Sequence, residues 1–383
     1  MLVLRTQNDL SNQETASTLQ VLDRLPENPV VGRWIGRSLG GAIAFAAITF
    51  VAPQAQAFLL TSSFGSNQVL SYDETTGTFL GTFGQANNLD SGLSGPDGLT
   101  FGLDGNLYVS SFLSSEILKY DGVTGEFLGI FGDASNTNSG LVNPVGSTFG
   151  LDGNLYVSSF GTNEVLKYDG MTGAFLGIFG DASDAGSGLG NPDNLTFGLD
   201  GNLYVSSFAT DEILKYDGMT GAFLGIFGDA FNAASGLDNP TGLTFGPDGN
   251  LYVTSYFSDE VLRYDGTTGA FLGVFGDASS TNSSLNGPFN LTFGADGFLY
   301  VSSSNFLSPN EDPVDRVLRY DSVTGAFAGV VLDPSNTNGQ LSVPAGLVFT
   351  PESVPEPSVV LGLLGLGAWG VSSRRLHRQG RSS

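Results

Sequence analysis

An aspartate returns every 48 positions, at Asp133, Asp181, Asp229 and Asp277, each followed within a few residues by Ser or Asn. Oxygen-rich loops of this kind can hold Ca²⁺. The run from Asp133, "DASNTNSG", lacks a closing bidentate Glu. A carboxylate that opens a linker also caps its own turn by accepting backbone N–H groups. Capping is the favoured role, so no cofactor is expected, with Ca²⁺ the one these loops could hold. Aromatic side chains recur at the same step: Phe64, Phe112, Phe160, Phe208 and Tyr256 each follow a Ser-Ser or Thr-Ser pair. Such a ladder can stack on a sugar or a peptide, or pack one repeat against the next. The last repeat is eight residues longer than the others, and its "SNFLSPNEDPVDR" segment adds Phe306, Glu311, Asp312 and Asp315. Together with the aromatic ladder, these are the candidate ligand-binding residues.

Other chemistry is scarce. There is no cysteine, and the only histidine, His377, lies near the C-terminus. The body of the chain therefore lacks thiol chemistry, the usual general base and the commonest metal ligand. The net charge is −24, and residues 58–354 hold 33 acids against 6 basic residues. A body so acidic repels nucleic acid and anionic lipid and attracts cations. Lys119, Lys167, Lys215, Arg263 and Arg319 recur singly and are expected to pair with nearby acids.

These residues are positioned by repeats. A "GLTFG"-type segment, a "NLYVSS" segment and a "YD" pair each occur six times, mostly 48 residues apart. Each repeat holds four short apolar or β-branched runs, with Asp-Gly and Thr-Gly between them. This pattern predicts a four-stranded antiparallel meander, with Asp-Gly as a hairpin turn whose two residues both have positive φ. The strands are apolar on both faces, so one sheet cannot stand alone, and radial stacking of blades covers every face. The chain enters the repeat at a second-type strand, at Phe58, and leaves after a first-type strand ending at Phe349. The two fragments make one blade. The expected fold is an all-β, six-bladed β-propeller whose C-terminal strand pairs with N-terminal strands. The Asp-Gly and Thr-Gly turns fall on one face. The long linkers and the loops after "YVSS" fall on the other, where a site is expected.

"GPDGLTFGLDGNLYVSSFLSSEILKYDG", at 95–122, resembles the NHL-repeat family of six-bladed propellers. The resemblance covers 58–350, although linkers such as 131–144 are longer than the family's. NHL propellers bind proteins or RNA, process peptides, or perform related lactonase and lyase chemistry. The related streptogramin-inactivating lyases use a catalytic histidine that this body lacks.

Both ends read as export signals. Residues 39–52 are apolar, follow Arg33 and Arg37, and precede Ala55-Gln56-Ala57. This is a secretory signal of 1–57 with a long n-region, cleaved after Ala57. The segment 351–383 holds Pro355-Glu356-Pro357, an apolar run at 359–371 and then Arg374-Arg375. It resembles the PEP-CTERM sorting signal. That resemblance implies transient membrane anchoring through a C-terminal helix, cleavage by an exosortase-type protease, and delivery to the cell surface or extracellular matrix, often with exopolysaccharide. The expected function is non-catalytic binding of a glycan, peptide or surface protein. The alternative is a calcium-dependent lactonase- or hydrolase-like propeller.

Overall fold

The four runs of each repeat become strands because each combines β-branched or aromatic residues with turn residues at its ends. In the clearest repeat they are Pro96–Phe101, Leu107–Ser111, Glu116–Tyr120 and Phe127–Asp133, hydrogen-bonded in that order. The computed structural model describes residues 57–351, apart from 75, 84–90, 134–138, 182, 184–185, 230–234, 278–284, 307–314, 336 and 338–339. These residues form six four-stranded antiparallel sheets. The six inner strands each contact the inner strands on both sides, which closes a ring around a central channel. The expected six-bladed propeller is therefore present.

Burial follows the radial position of each strand. The second strand, "LYVSS", is buried along its whole length. Ile117, Leu118 and Tyr120 of the third strand are buried. The outer strand alternates between exposed and half-buried residues. Tyrosine wedges join the blades: the Tyr108 ring stands edge-on to Phe131 of its own outer strand at 4.8 Å and to Phe149 of the next blade at 5.0 Å.

Ring closure uses both ends of the described chain. Pro344–Phe349 pairs antiparallel with Phe58–Ser63, with Leu59 opposite Phe349 and Thr61 opposite Leu347. The Thr350 amide donates to the Phe58 carbonyl at 2.9 Å, and the Phe58 amide donates to Thr350 Oγ1 at 2.8 Å. The remaining strands of this blade are Gln68–Asp73 and Phe79–Thr82.

The Asp-Gly turn differs from the expected form. Gly153 N–H donates to the Gly150 carbonyl at 2.9 Å, and Gly153 has φ 76° while Asp152 stays out of the left-handed region. Only the glycine needs positive φ, as in a type I turn followed by a glycine bulge. Asp152 is thereby left to act as an acceptor. Its carboxylate takes hydrogen bonds from the Asn154 side chain at 2.8 Å and Tyr156 Oη at 3.0 Å, and Lys167 Nζ lies 2.8 Å away. The same ion pair joins Lys119 to Asp104 and Lys215 to Asp200, each at 2.8 Å.

The expected signal and C-terminal membrane segments lie outside the described residues. Among the described residues there is no α-helix and no helix long and apolar enough to cross a membrane.

A phenylalanine-walled cup as candidate functional site

The inner strands carry a bulge that builds the floor of a cup. Pro96 pairs with Ser111 but Leu99 pairs with Val109, so residues 97–98 leave the ladder. The same slip occurs in the next four blades. The bulge brings position two of each inner strand to one end of the channel: Asp97, Val145, Asp193, Thr241, Phe289 and Ala345. A hydroxyl from the preceding blade holds the bulged carbonyl. Ser62 Oγ donates to Asp97 O at 2.6 Å, Ser206 Oγ to Thr241 O at 2.6 Å, and Ser302 Oγ to Ala345 O at 2.6 Å. Ser158 makes the same bond to the Asp193 carbonyl. The second serine of each pair holds the linker: Ser111 Oγ accepts from Ser94 N–H at 2.9 Å. These bonds account for the buried "SS" of the other repeats, since buried hydroxyls require partners; Ser110 Oγ is buried and makes no such bond.

The next residue forms the wall. Phe112 N–H donates to the Gly95 carbonyl at 3.0 Å, and Phe208 N–H to the Asn191 carbonyl at 3.2 Å. The Asn191 side chain in turn donates to Phe160 O at 3.0 Å, and Asn143 to Phe112 O at 3.0 Å. Phe112, Phe160 and Phe208 are thus tied to the following blade. The rings run in an arc: Phe306 to Phe64 is 5.8 Å, Phe64 to Phe112 5.8 Å, Phe112 to Phe160 6.1 Å and Phe160 to Phe208 6.1 Å. They enclose a cavity of about 210 Å³ with Asp97, Asp193, Val145, Phe289, Val343 and Ala345. A second, polar cavity of about 140 Å³ continues along the channel past Gly98, Asn194, Thr244 and Asn290.

Two carboxyls sit in this apolar setting. Asp193 is only 9% exposed, and Asp97 is half-buried. Among the described residues no group donates a hydrogen bond to either carboxyl. Burial raises Asp97 from the usual 3.8 to about 7. Burial, and then the charge of Asp97, raises Asp193 well above the ordinary value. Two neighbouring carboxyls in such a site favour the protonated form, because ionisation is opposed by lost hydration and by like charge. The pair can bind a cation once ionised, and can donate a hydrogen bond while protonated.

Comparison with known proteins separates the sorting segment from the propeller. Residues 353–376 match the PEP-CTERM protein-sorting motif. The motif marks the protein as exported. No curated protein sequence matches the chain. Among solved structures, a chain of a nidogen/laminin complex superposes with TM-score 0.58 at 16% identity, covering 78% of this chain and 100% of that one. A Bacteroides caccae protein of unknown function gives 0.54 at 15%, with the same coverage. A catalytically inactive virginiamycin B lyase from Staphylococcus aureus, crystallised with quinupristin, gives 0.50 at 18%, covering 79% and 94%. At these identities the likeness is one of fold, the propeller, and does not single out the NHL-repeat family.

The structure distributes the expected site residues unevenly. Phe112, Phe160, Phe208 and Phe306 line the cup, with Phe64. Tyr256 turns inward instead. It is 1% exposed, packs on Phe289 at 5.1 Å and donates from Oη to Ser304 O at 3.2 Å. Gly287 makes this possible, because a Cβ there would lie 2.9 Å from the Tyr256 ring. Asp315 is buried and accepts from Ser304 Oγ at 2.7 Å, so its carboxyl is engaged within the blade and does not line the cup. Glu311 and Asp312 lie outside the described residues, as do Pro355, Glu356, Pro357, Arg374 and Arg375.

The linker aspartates close the outer strands. Asp133, Asp181, Asp229 and Asp277 stand in register with Glu116, Glu164, Glu212 and Glu260. Asp181 Oδ1 accepts from Ser183 N–H and Oγ, both at 2.6 Å, which is the capping geometry. Among the described residues no group of three or more His, Cys, Asp or Glu side chains is arranged to hold a metal ion.

Sequence reasoning missed Asp97 and Asp193. The signal that marks them is variation within the repeat. Position two of "P-x-G-L-T-F" reads Asp, Val, Asp, Thr, Phe and Ala around the ring while its neighbours hardly change.

Proposed function

We propose that this exported propeller is a non-catalytic binding protein whose ligand, a glycan, a peptide or a side chain of a surface protein, seats in the phenylalanine-walled cup. One observation carries this reading: five of the six blades contribute to the cup, and the second residue of the inner strand, which lines it, varies between near-identical repeats. An exosortase-type protease would process the PEP-CTERM segment and deliver the propeller to the cell surface or matrix, alongside exopolysaccharide or a surface protein. The fold neighbours include both a chain of a nidogen/laminin complex and a lyase, so fold does not choose between binding and catalysis.

The second reading is a lactonase- or hydrolase-like enzyme using Ca²⁺. Asp97 and Asp193 favour it, because a carboxyl pair with raised pKa suits acid–base work. Against it, calcium takes six to eight oxygen ligands, and the rest of the cup is largely phenylalanine and aliphatic. The test is ligand-observed NMR on the full chain with short oligosaccharides, peptides and lactones, plus a pH-stat assay of lactone opening with calcium. The expected outcome is binding without turnover, weakened about tenfold in Phe112→Ala. Calcium-dependent turnover would establish the enzyme reading.

A further inference from the structure

Two carboxyls without a hydrogen-bond donor are costly in an apolar cup, and a ligand that meets them must supply what the wall does not. An isolated buried carboxylate is strongly unfavourable and is stabilised by a proton or a counter-charge. A bare metal ion suits the site poorly, because around the pair stand Phe, Val and Ala side chains with no further oxygen ligand. A neutral sugar can stack its C–H faces on the rings but brings no charge to meet the carboxylates. An anion is opposed by the pair and by the body's 33 acids against 6 basic residues. A positive nitrogen surrounded by carbon satisfies every surface of the cup at once. Its charge meets the carboxylates, and its methyl or methylene groups meet the ring faces, which attract cations in their own right. The volume of about 210 Å³ fits a small head group, below the range of drug-sized ligand sites.

We propose that the cup is a receptor for an organic ammonium group, with Asp97 and Asp193 as its counter-charges and Phe64, Phe112, Phe160, Phe208 and Phe306 as its wall. This rests on the reading of the cup as the ligand site and adds the ligand class. A substituted amine on a small head group, a peptide's terminal ammonium or a lysine side chain all carry the required chemistry. Among the described residues, Asp97 and Asp193 are the titratable groups that face the cavity. The adjoining inner strands present Val145, Phe289 and Ala345, and the loops present phenylalanines and Val343. Capture therefore strengthens as pH rises and the pair loses its protons, and a bound ammonium pulls both carboxyls toward ionisation.

The test is calorimetric titration of the full chain with choline and with 3,3-dimethylbutan-1-ol, its uncharged isostere, at pH 5.5 and pH 8.5. Choline is expected to bind about tenfold or more tightly than the alcohol at pH 8.5. That advantage should shrink at pH 5.5 and fall to the part supplied by the rings, the same at both pH values, in a folded Asp97→Asn, Asp193→Asn double variant. Equal binding of the two probes would overturn the ammonium assignment and leave a merely apolar cup. Calcium displacing choline through the same two aspartates, with the greater affinity, would make the pair a metal site and also overturn it. If neither probe binds, the assignment fails. The cup reading then survives only if the oligosaccharides or peptides of the NMR screen bind in a Phe112-dependent way.

Discussion

Two sets of aspartates respond to their surroundings in opposite directions. Asp104, Asp152 and Asp200 are partly buried, which alone would raise them. Hydrogen bonds from Lys119, Lys167 and Lys215 and from the neighbouring Asn and Tyr side chains outweigh that, and each titrates at about 2. Their stabilisation is present above the unfolded value and is lost as pH falls through about 2. Asp97 and Asp193 behave in reverse. Their folded values lie above 3.8, so their contribution is intact below the unfolded value and is lost as pH rises through about 7 for Asp97. Replacing both by Asn should therefore raise the unfolding midpoint at pH 8 by about 5 °C and leave it unchanged at pH 4. Calorimetric scans at the two pH values check this. An equal shift at both would mean that the pair is not strained by ionisation.

At the scale of the strand, the residue before each inner-strand proline is the hinge of the cup. Gly95, Asn143, Asn191, Asn239, Gly287 and Val343 all have φ near +50°. Glycine and asparagine tolerate this region, whereas a β-branched side chain is strained in it. Val343 has φ 51° and lines the cup. Backbone strain concentrated at a functional site is a recurring pattern. Val343→Asn should stabilise the protein by about 1 kcal/mol, or about 2 °C in midpoint. A loss of stability on thermal unfolding would show that Val343's packing in the cup outweighs its backbone strain.

For the molecule as a whole, the ring is closed by one strand. Truncation before Pro344 removes the partner of Phe58–Ser63 and opens an edge whose neighbours are buried apolar residues. Unpaired edges of this kind associate. The truncated chain should lose cooperative unfolding and form larger species in light scattering, while a chain ending at Pro351 should remain monodisperse. Monomeric, cooperative unfolding of the shorter chain would mean that the remaining blades close by themselves.

The architecture could be read from sequence because its causes are local and repeated. A 48-residue period, two-faced apolar strands and glycine turns leave radial stacking as the way to cover every sheet. The split first and last fragments specify how the ring shuts. The export signal was equally legible, since PEP, apolar run and Arg cluster are contiguous. Turn detail was less so: Asp-Gly alone does not distinguish a two-residue turn from a glycine bulge, because the choice depends on what Asp152 binds across the hairpin. The site was half legible. The phenylalanine ladder stood out by period, but its convergence on one cavity depends on six blades meeting at an axis. Asp97 and Asp193 lie 96 residues apart and look like ordinary turn acids next to proline. Only the closed ring brings them together in an apolar cup, where lost hydration and mutual repulsion turn two surface-type residues into a charge-sensing pair.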